Sequence, residues 1–136
     1  MRLEITRRAE LAVRAMVTLG AAGGRLKATA LAEALGTTAG FVPQVIGPLV
    51  KAGFVRSDPG PSGGYVTCVE LGDVSVLEVI EAVDGRTDTG RCVVADRDCA
   101  GAQQCSLHVA WARARAELVG VLGGTPLSDV VGGAAR

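Results

Sequence analysis

The 136-residue chain has few aromatic residues, with two phenylalanines, one tyrosine and one tryptophan making up 3% of it. That scarcity excludes the ring platforms on which single-stranded nucleic acids stack. It also leaves Ala, Val and Leu to build the interior, a composition suited to closely packed helices and to a core shared between two copies. Histidine occurs once, at His108, and no nucleophile, base and orienting residue form a set, so the chain is not expected to be an enzyme. No apolar run approaches the ~18–20 residues that cross a bilayer. No signal-like apolar region precedes Glu10, so the cytoplasm is the expected location and a membrane is not an expected partner. With 49% apolar and 21% charged residues the chain reads as globular.

Net charge is absent too, yet neutrality conceals a gradient. Residues 1–60 carry eight basic side chains (Arg2, Arg7, Arg8, Arg14, Arg25, Lys27, Lys51 and Arg56) against four acidic ones, and residues 61–136 carry six against ten. A basic front and an acidic back suggest that one end meets a polyanion. Ordinary surface variation would also produce a difference of this size.

What the chain does have is helical periodicity punctuated by glycine. Leu11, Ala12, Ala15, Met16 and Leu19 predict a helix over 9–19. A second is expected over 29–35, capped by Thr29 and stopped by Gly36, and a third over 39–52, with Thr37 and Thr38 as caps, Pro43 in its first turn and Pro48 as a kink. Helix, short turn and helix make a helix-turn-helix candidate. Residues 54–56 and 65–69 then read as two strands around the tight loop 58–64, a hairpin in the place of a wing. In the return strand Cys68 shares a face with Val66 and is expected to be a small buried hydrophobe. A fourth helix is expected over 74–83, and a short closing helix over 125–131 with Pro126 at its first position. Before that closing piece, Leu107, Trp111, Ala114, Leu118 and Val121 form a heptad-like stripe on one helix. Such a stripe suits pairing with a copy of itself; folding back on its own winged helix is the alternative.

The fold class expected is therefore mainly α with a small β-hairpin wing, a winged helix-turn-helix followed by a long C-terminal dimerisation helix. Residues 1–72 would form the DNA-binding domain, and residues 73–136 a helix, a cysteine loop (86–105) and the dimerisation helix. Thr37, Thr38, Gly40, Phe41 and Gln44 open the second helix of the pair and would face base edges, where Gln can pair with adenine in bidentate fashion. Arg2, Arg7, Arg8, Lys51 and Arg56 would meet phosphates, and the small residues Ser62, Gly63 and Gly64 with Tyr65 would approach the backbone at the wing tip. A winged helix can also serve as a protein-interaction module.

The cysteines cluster. Cys92, Cys99, Cys105 and His108 have the spacing C-x6-C-x5-C-x2-H within a loop that lacks periodicity. Thiolates anchor iron–sulfur clusters and structural zinc, and both want four ligands. His108 is the local candidate for the fourth, since a histidine can replace a thiolate at a 2Fe–2S iron; it would otherwise be a capping or solvated side chain. Zinc in a Cys₃His set, and a reversible disulfide between two loop cysteines without metal, are the other readings.

Taken in order, Ala9-Glu10-Leu11-Ala12-Val13-Arg14, the helix-turn-helix, the wing Pro61-Ser62-Gly63-Gly64-Tyr65, the run from Val76 to Gly85, the cysteine loop and the Leu-x-Asp-Val-Val tail resemble the Rrf2 family of bacterial transcription regulators over essentially the whole chain. The resemblance implies a homodimeric winged-helix repressor or activator that binds double-stranded DNA at a palindromic operator. It also implies an iron–sulfur cluster, the 2Fe–2S form ahead of the 4Fe–4S form, that senses redox state, nitric oxide, or iron and cluster status. Cys92, Cys99 and Cys105 match the family's cluster cysteines. The fourth ligand is either His108, as in the cluster-assembly type, or Glu10 on the first helix of the opposite subunit. The six-residue gap between Cys92 and Cys99 departs from the five or seven of the better-known types, and Pro43 stands where some members carry an acidic recognition-helix residue.

Overall fold

The computed structural model describes residues 3–99 and 104–130. Helix α1 (Arg7–Ala22) follows from the apolar period, since Leu11, Ala12, Ala15, Met16 and Leu19 are all buried. It starts two residues before that period does because Thr6 caps it. The Thr6 hydroxyl accepts the Ala9 amide at 3.0 Å and donates to Asp84 Oδ1 at 2.7 Å. Gly23, at φ 64°, ends the helix in the left-handed conformation.

Helices α2 (Ala28–Leu35) and α3 (Val42–Lys51) complete the helix-turn-helix, and here the structure corrects the expected caps. Lys27, not Thr29, is the N-cap of α2. Helix α3 begins at Val42 rather than residue 39, because the Phe41 amide bonds the Thr38 carbonyl at 3.0 Å in a preceding turn. Thr37 and Thr38 therefore lie in the turn, and Phe41 is the cap residue. Pro43 falls at the second helical position, where a missing N–H costs little. Pro48 has no amide for the Gln44 carbonyl, yet α3 runs through it to Lys51. An interior proline costs about 3 kcal/mol, and the burial of Val42, Val45, Ile46 and Leu49 offsets it, at about 1.5–3 kcal/mol for each large apolar side chain.

The wing consists of β1 (Val55–Asp58) and β2 (Gly64–Thr67), antiparallel, with Val55 opposite Thr67 and Asp58 opposite Gly64. Leu26 joins its edge through two bonds with Tyr65, of 2.8 and 3.0 Å. Gly64, at φ 149°, is required there, for a Cβ would run into the Leu26 carbonyl oxygen. All four residues of β2 are half-buried, so the strand has no inward–outward alternation to carry on to Cys68. That residue is exposed, not the buried hydrophobe its spacing from Val66 suggests.

Helix α4 (Val76–Asp84) starts two residues later than the apolar run because Ser75 and Glu78 form a capping box. The Glu78 amide donates to Ser75 Oγ at 3.1 Å, and the Ser75 amide donates to Glu78 Oε2 at 2.7 Å. Among the described residues the expected closing helix is instead a 3-10 turn, Leu127–Asp129, with Pro126 as its cap. The Leu127 amide bonds the Val74 carbonyl and the Val76 amide bonds the Thr125 carbonyl, at 2.8 and 2.9 Å, so the tail is strapped to the start of α4. Val131, placed by its sequence in the closing helix, lies outside the described residues.

Helices α1, α2, α3 and α4 share one core. Helix α5 (His108–Gly123) does not join it and has no buried residue. Along its stripe Trp111 is half-buried and Ala114, Leu118 and Val121 are exposed, Val121 at 61%. Among the described residues no helix is long and apolar enough to cross a membrane. Replacing Ser75 with Ala should cost about 1 kcal/mol of stability in urea unfolding. An unchanged midpoint would mean that the tail strap alone fixes the start of α4.

Candidate metal centre and nucleic-acid interface

The segment after α4 has little regular structure but many bonds. The Thr87 amide donates to Glu81 Oε2 at 2.6 Å, tying the loop to α4. The Cys99 amide bonds the Gly90 carbonyl at 3.1 Å and the Cys92 amide bonds the Arg97 carbonyl at 2.8 Å, on either side of an antiparallel bridge between Arg91 and Asp98. Residues 90–99 thus form a small hairpin. The two-residue period of paired strands puts Cys92 and Cys99 on one side of it and Arg91 and Asp98 on the other. On that second side Arg91 pairs with Asp98 at 3.3 Å and also with Asp96.

The hairpin collects sulfur. The Sγ atoms of Cys92, Cys99 and Cys105 lie within 4.8 Å of one another. Cys99 is buried and the other two are half-buried. Cys99 Sγ lies 3.3 Å from His108 Nδ1, at the first residue of α5, and accepts the Cys105 amide at 3.3 Å. The amides of Val94 and Ala95 bring the Cys92 thiol down to about 7, whereas desolvation pushes the Cys105 thiol up. Three soft thiolates and one imidazole on a single patch form a donor set that suits an iron–sulfur cluster or zinc. Glu10 is not part of this group; its carboxylate pairs with Arg7 at 3.0 Å and Arg14 at 3.4 Å along α1.

The residues expected at DNA divide into two sets. Thr38, Gly40, Gln44, Lys51, Arg56, Ser62 and Arg7 are exposed, with Gln44, Gly47 and Lys51 along one open face of α3. Thr37 and Gly64 are half-buried, while Phe41 and Tyr65 pack against the core with part of their rings. Gly63 is buried beneath the turn, where a Cβ would collide with the Asp58 carbonyl. Arg8 donates to the Val83 carbonyl at 3.0 Å and so fastens α1 to α4. Arg2 lies outside the described residues.

The sequence reading missed Asp58 and Arg25. Arg25 Nη2 reaches Asp58 Oδ2 at 2.7 Å, Arg56 Nε reaches Asp58 Oδ1 at 3.1 Å, and Arg25 Nη1 donates to the Ser62 carbonyl at 3.0 Å. The Arg56–Asp58 half could have been found, since residues two apart on a strand share a face. Arg25, 33 positions away, carried no such signal.

A helix-turn-helix with a wing, followed by a helix that buries none of its own residues, has the architecture of a winged-helix transcription regulator. Comparison with known proteins agrees. Residues 5–133 match the family model described as Rrf2, iron-dependent transcriptional regulator. The HTH-type transcriptional regulators IscR of Cronobacter sakazakii and Salmonella newport are each 32% identical over 131 residues, covering 95% of this chain and 80% and 79% of theirs. Of solved structures, T. potens IscR matches with a TM-score of 0.72 at 25% identity, over 94% of this chain and 85% of that one. CymR, the global cysteine regulator of B. subtilis, matches in fold with a TM-score of 0.75 at 22% identity, over 95% of this chain and 96% of that one. The chain belongs to the Rrf2 family, and these relatives are transcriptional regulators rather than enzymes.

In the reduced, metal-free chain, Cys92 should alkylate first. Its thiolate fraction rises steeply as pH passes about 7, while Cys105 stays protonated above its ordinary range. Mass mapping after brief iodoacetamide treatment at neutral pH checks the order, and equal labelling of Cys92 and Cys105 would contradict the amide bonds described.

Proposed function

We propose that this chain is a homodimeric DNA-binding transcriptional regulator whose operator affinity depends on an iron–sulfur cluster held by Cys92, Cys99, Cys105 and His108. The observation that carries the reading is the gathering of three sulfurs within 4.8 Å in a loop placed between α4 and α5. His108 is favoured over Glu10 as the fourth ligand because its Nδ1 already stands 3.3 Å from Cys99 Sγ, whereas Glu10 is engaged by two arginines of its own helix. When bound, the cluster supplies a tie across the loop that oxidation, nitric oxide or iron shortage can break. The 2Fe–2S form suits a Cys₃His set.

The chain's own residues do the rest. Residues 1–72 read a palindromic duplex site, with Thr37, Thr38, Gly40, Phe41 and Gln44 toward the bases. Arg2, Arg7 and Lys51, with the wing residues Ser62, Gly63, Gly64 and Tyr65, lie toward the backbone, and Arg56 joins them only where it gives up Asp58. Residues 73–136 sense and dimerise, through the exposed stripe of α5. Drawing Cys92, Cys99 and Cys105 together braces α4 against α5, and releasing them changes the separation of the two α3 helices across the dimer.

A second reading, a zinc-stabilised regulator, is favoured by the compactness of the sulfur group. Tetrahedral zinc with bonds of about 2.3 Å holds its sulfurs about 3.8 Å apart. Anaerobic purification followed by absorption spectroscopy and iron, zinc and sulfide analysis separates the two. A coloured protein with acid-labile sulfide is expected, and a colourless one with stoichiometric zinc would replace the cluster reading. Cys99→Ala should abolish the visible absorption and alter operator binding at matched salt. Equal binding by holo and apo forms would reject the gating. Replacing Leu118 and Val121 together with Glu should convert the dimer to a monomer in sedimentation, with the far-ultraviolet dichroism of the reading domain retained.

A further inference from the structure

The wing contains a carboxylate where a DNA reader gains nothing from one. Asp58, whose side chain is 26% exposed, takes Arg25 at 2.7 Å and Arg56 at 3.1 and 3.4 Å, so one anion is shared by two guanidinium groups. Arg25 comes from the link between α1 and α2, and Arg56 from β1. Their meeting at Asp58 and the bond from Arg25 to the Ser62 carbonyl, with the pairing of Leu26 to Tyr65 beside them, bring them together beneath the wing tip. Asp58 also lines, with Lys27, Thr29 and Tyr65, an open groove of about 310 Å³ between α2 and the wing. A guanidinium presents the same donor fork to a carboxylate as to a phosphate. The arrangement of one acceptor group under two forks is the one a backbone phosphate would adopt at that place.

We propose that Asp58 is a specificity-determining residue that occupies the phosphate position on Arg25 and Arg56 and so holds down sequence-independent DNA binding. The inference rests on the DNA-binding reading above but not on the cluster. Binding to arbitrary sequence depends almost wholly on phosphate neutralisation. Two arginines already satisfied by Asp58 contribute to it only by surrendering that partner, and a phosphate drawn toward them meets the carboxylate's charge. The Asp58 carboxyl is held below the usual range by its bond to Arg56, in keeping with a permanently ionised counter-charge.

The test is titration of the intact protein with a random-sequence duplex over a range of salt concentrations. Asp58→Asn should bind that duplex more tightly, with a salt slope steeper by about 0.9 for each phosphate gained. Asp58→Glu should match the unaltered chain. An Asp58→Asn slope equal to or shallower than that of the unaltered chain, with thermal unfolding unchanged, would overturn the inference while leaving the DNA-binding reading intact. Nuclear magnetic resonance of the arginine Nε–H groups in the unaltered protein gives a second measure, needing no variant. The Arg56 signal should stay in place when random duplex is added, and its transfer to a phosphate environment would overturn the shielding. If the unaltered protein binds no duplex at all, the DNA-binding reading falls and this inference with it.

Discussion

The rest of the structure depends on how closely α1 can be approached. Its inward positions are Ala9, Leu11, Ala12, Ala15, Met16 and Leu19, three of them alanines with no exposed surface. A chain with so few rings cannot fill space with aromatics, so it brings helix backbones together instead, and α1 touches α2, α3 and α4 at once. Gly20 extends the same logic to the end of the helix, since a Cβ there would lie 2.6 Å from Leu71 Cδ1. The helix-turn-helix and α4 are thereby two sides of one object. Helix α4 also packs directly on α3, so what moves α4 is felt at α3 both directly and through α1.

The start of α1 and the end of α4 are joined in polar fashion as well. Thr6 bonds Asp84 through both its hydroxyl and its amide, and Arg8 bonds the Val83 carbonyl. Three residues beyond Asp84 the Thr87 amide turns back onto Glu81, and the cysteine hairpin follows. The thiols are thus suspended from the best-anchored end of the core. Inside the hairpin the seven-residue step from Cys92 to Cys99 matters for a geometric reason. With Arg91 opposite Asp98, an odd step places both cysteines on the same side of the ladder, whereas a step one residue longer or shorter would set them on opposite sides unless the register slipped. The departure of this chain from the more familiar cysteine gaps is thereby accommodated in its backbone pairing.

Where period and packing agree, the sequence was legible: the helical faces of α1, α3 and α4, the glycine stop at Gly36, and the wing, although α1 runs on through Gly20 to Ala22, past its expected end at residue 19. The cysteine group and its neighbour His108 were legible as well, because metal-ligating residue types are rare and their clustering is informative. The starts of elements were not. Thr29, Thr37 and Thr38 have the right chemistry for caps, but the turn at Thr38 to Phe41 and the proline at Pro43 place the start of α3 elsewhere. Cys68 is exposed because β2, with all four of its residues half-buried, offers no inward face for it to share with Val66. The ion pair of Arg25 with Asp58 joins residues far apart in the chain, and no local pattern encodes it.

The placement of α5 constrains any account of signalling. Among the described residues α5 meets the rest of the chain through the 3.3 Å approach of His108 Nδ1 to Cys99 Sγ, through packing on α4 that includes Gly123 against Leu77, and through a 3.7 Å ion pair from Arg115 to Asp88, whose carboxylate side is 62% exposed. The surface pair is worth about 0–1 kcal/mol, and none of the sixteen residues of the helix is fully buried. On the proposed reading two further constraints act on it: the sulfur centre just upstream, which His108 makes continuous with the helix, and a second copy along Leu118 and Val121. Neither suffices alone. A dimer helix with a free loop can slide against its partner, and a tied loop without a partner leaves an apolar stripe in water. Each makes the other more favourable, which is the condition for a coupling free energy between cofactor and dimer geometry. Because α4 packs on α3 both directly and through α1, that proposed coupling reaches the helix read as facing DNA with no additional moving part.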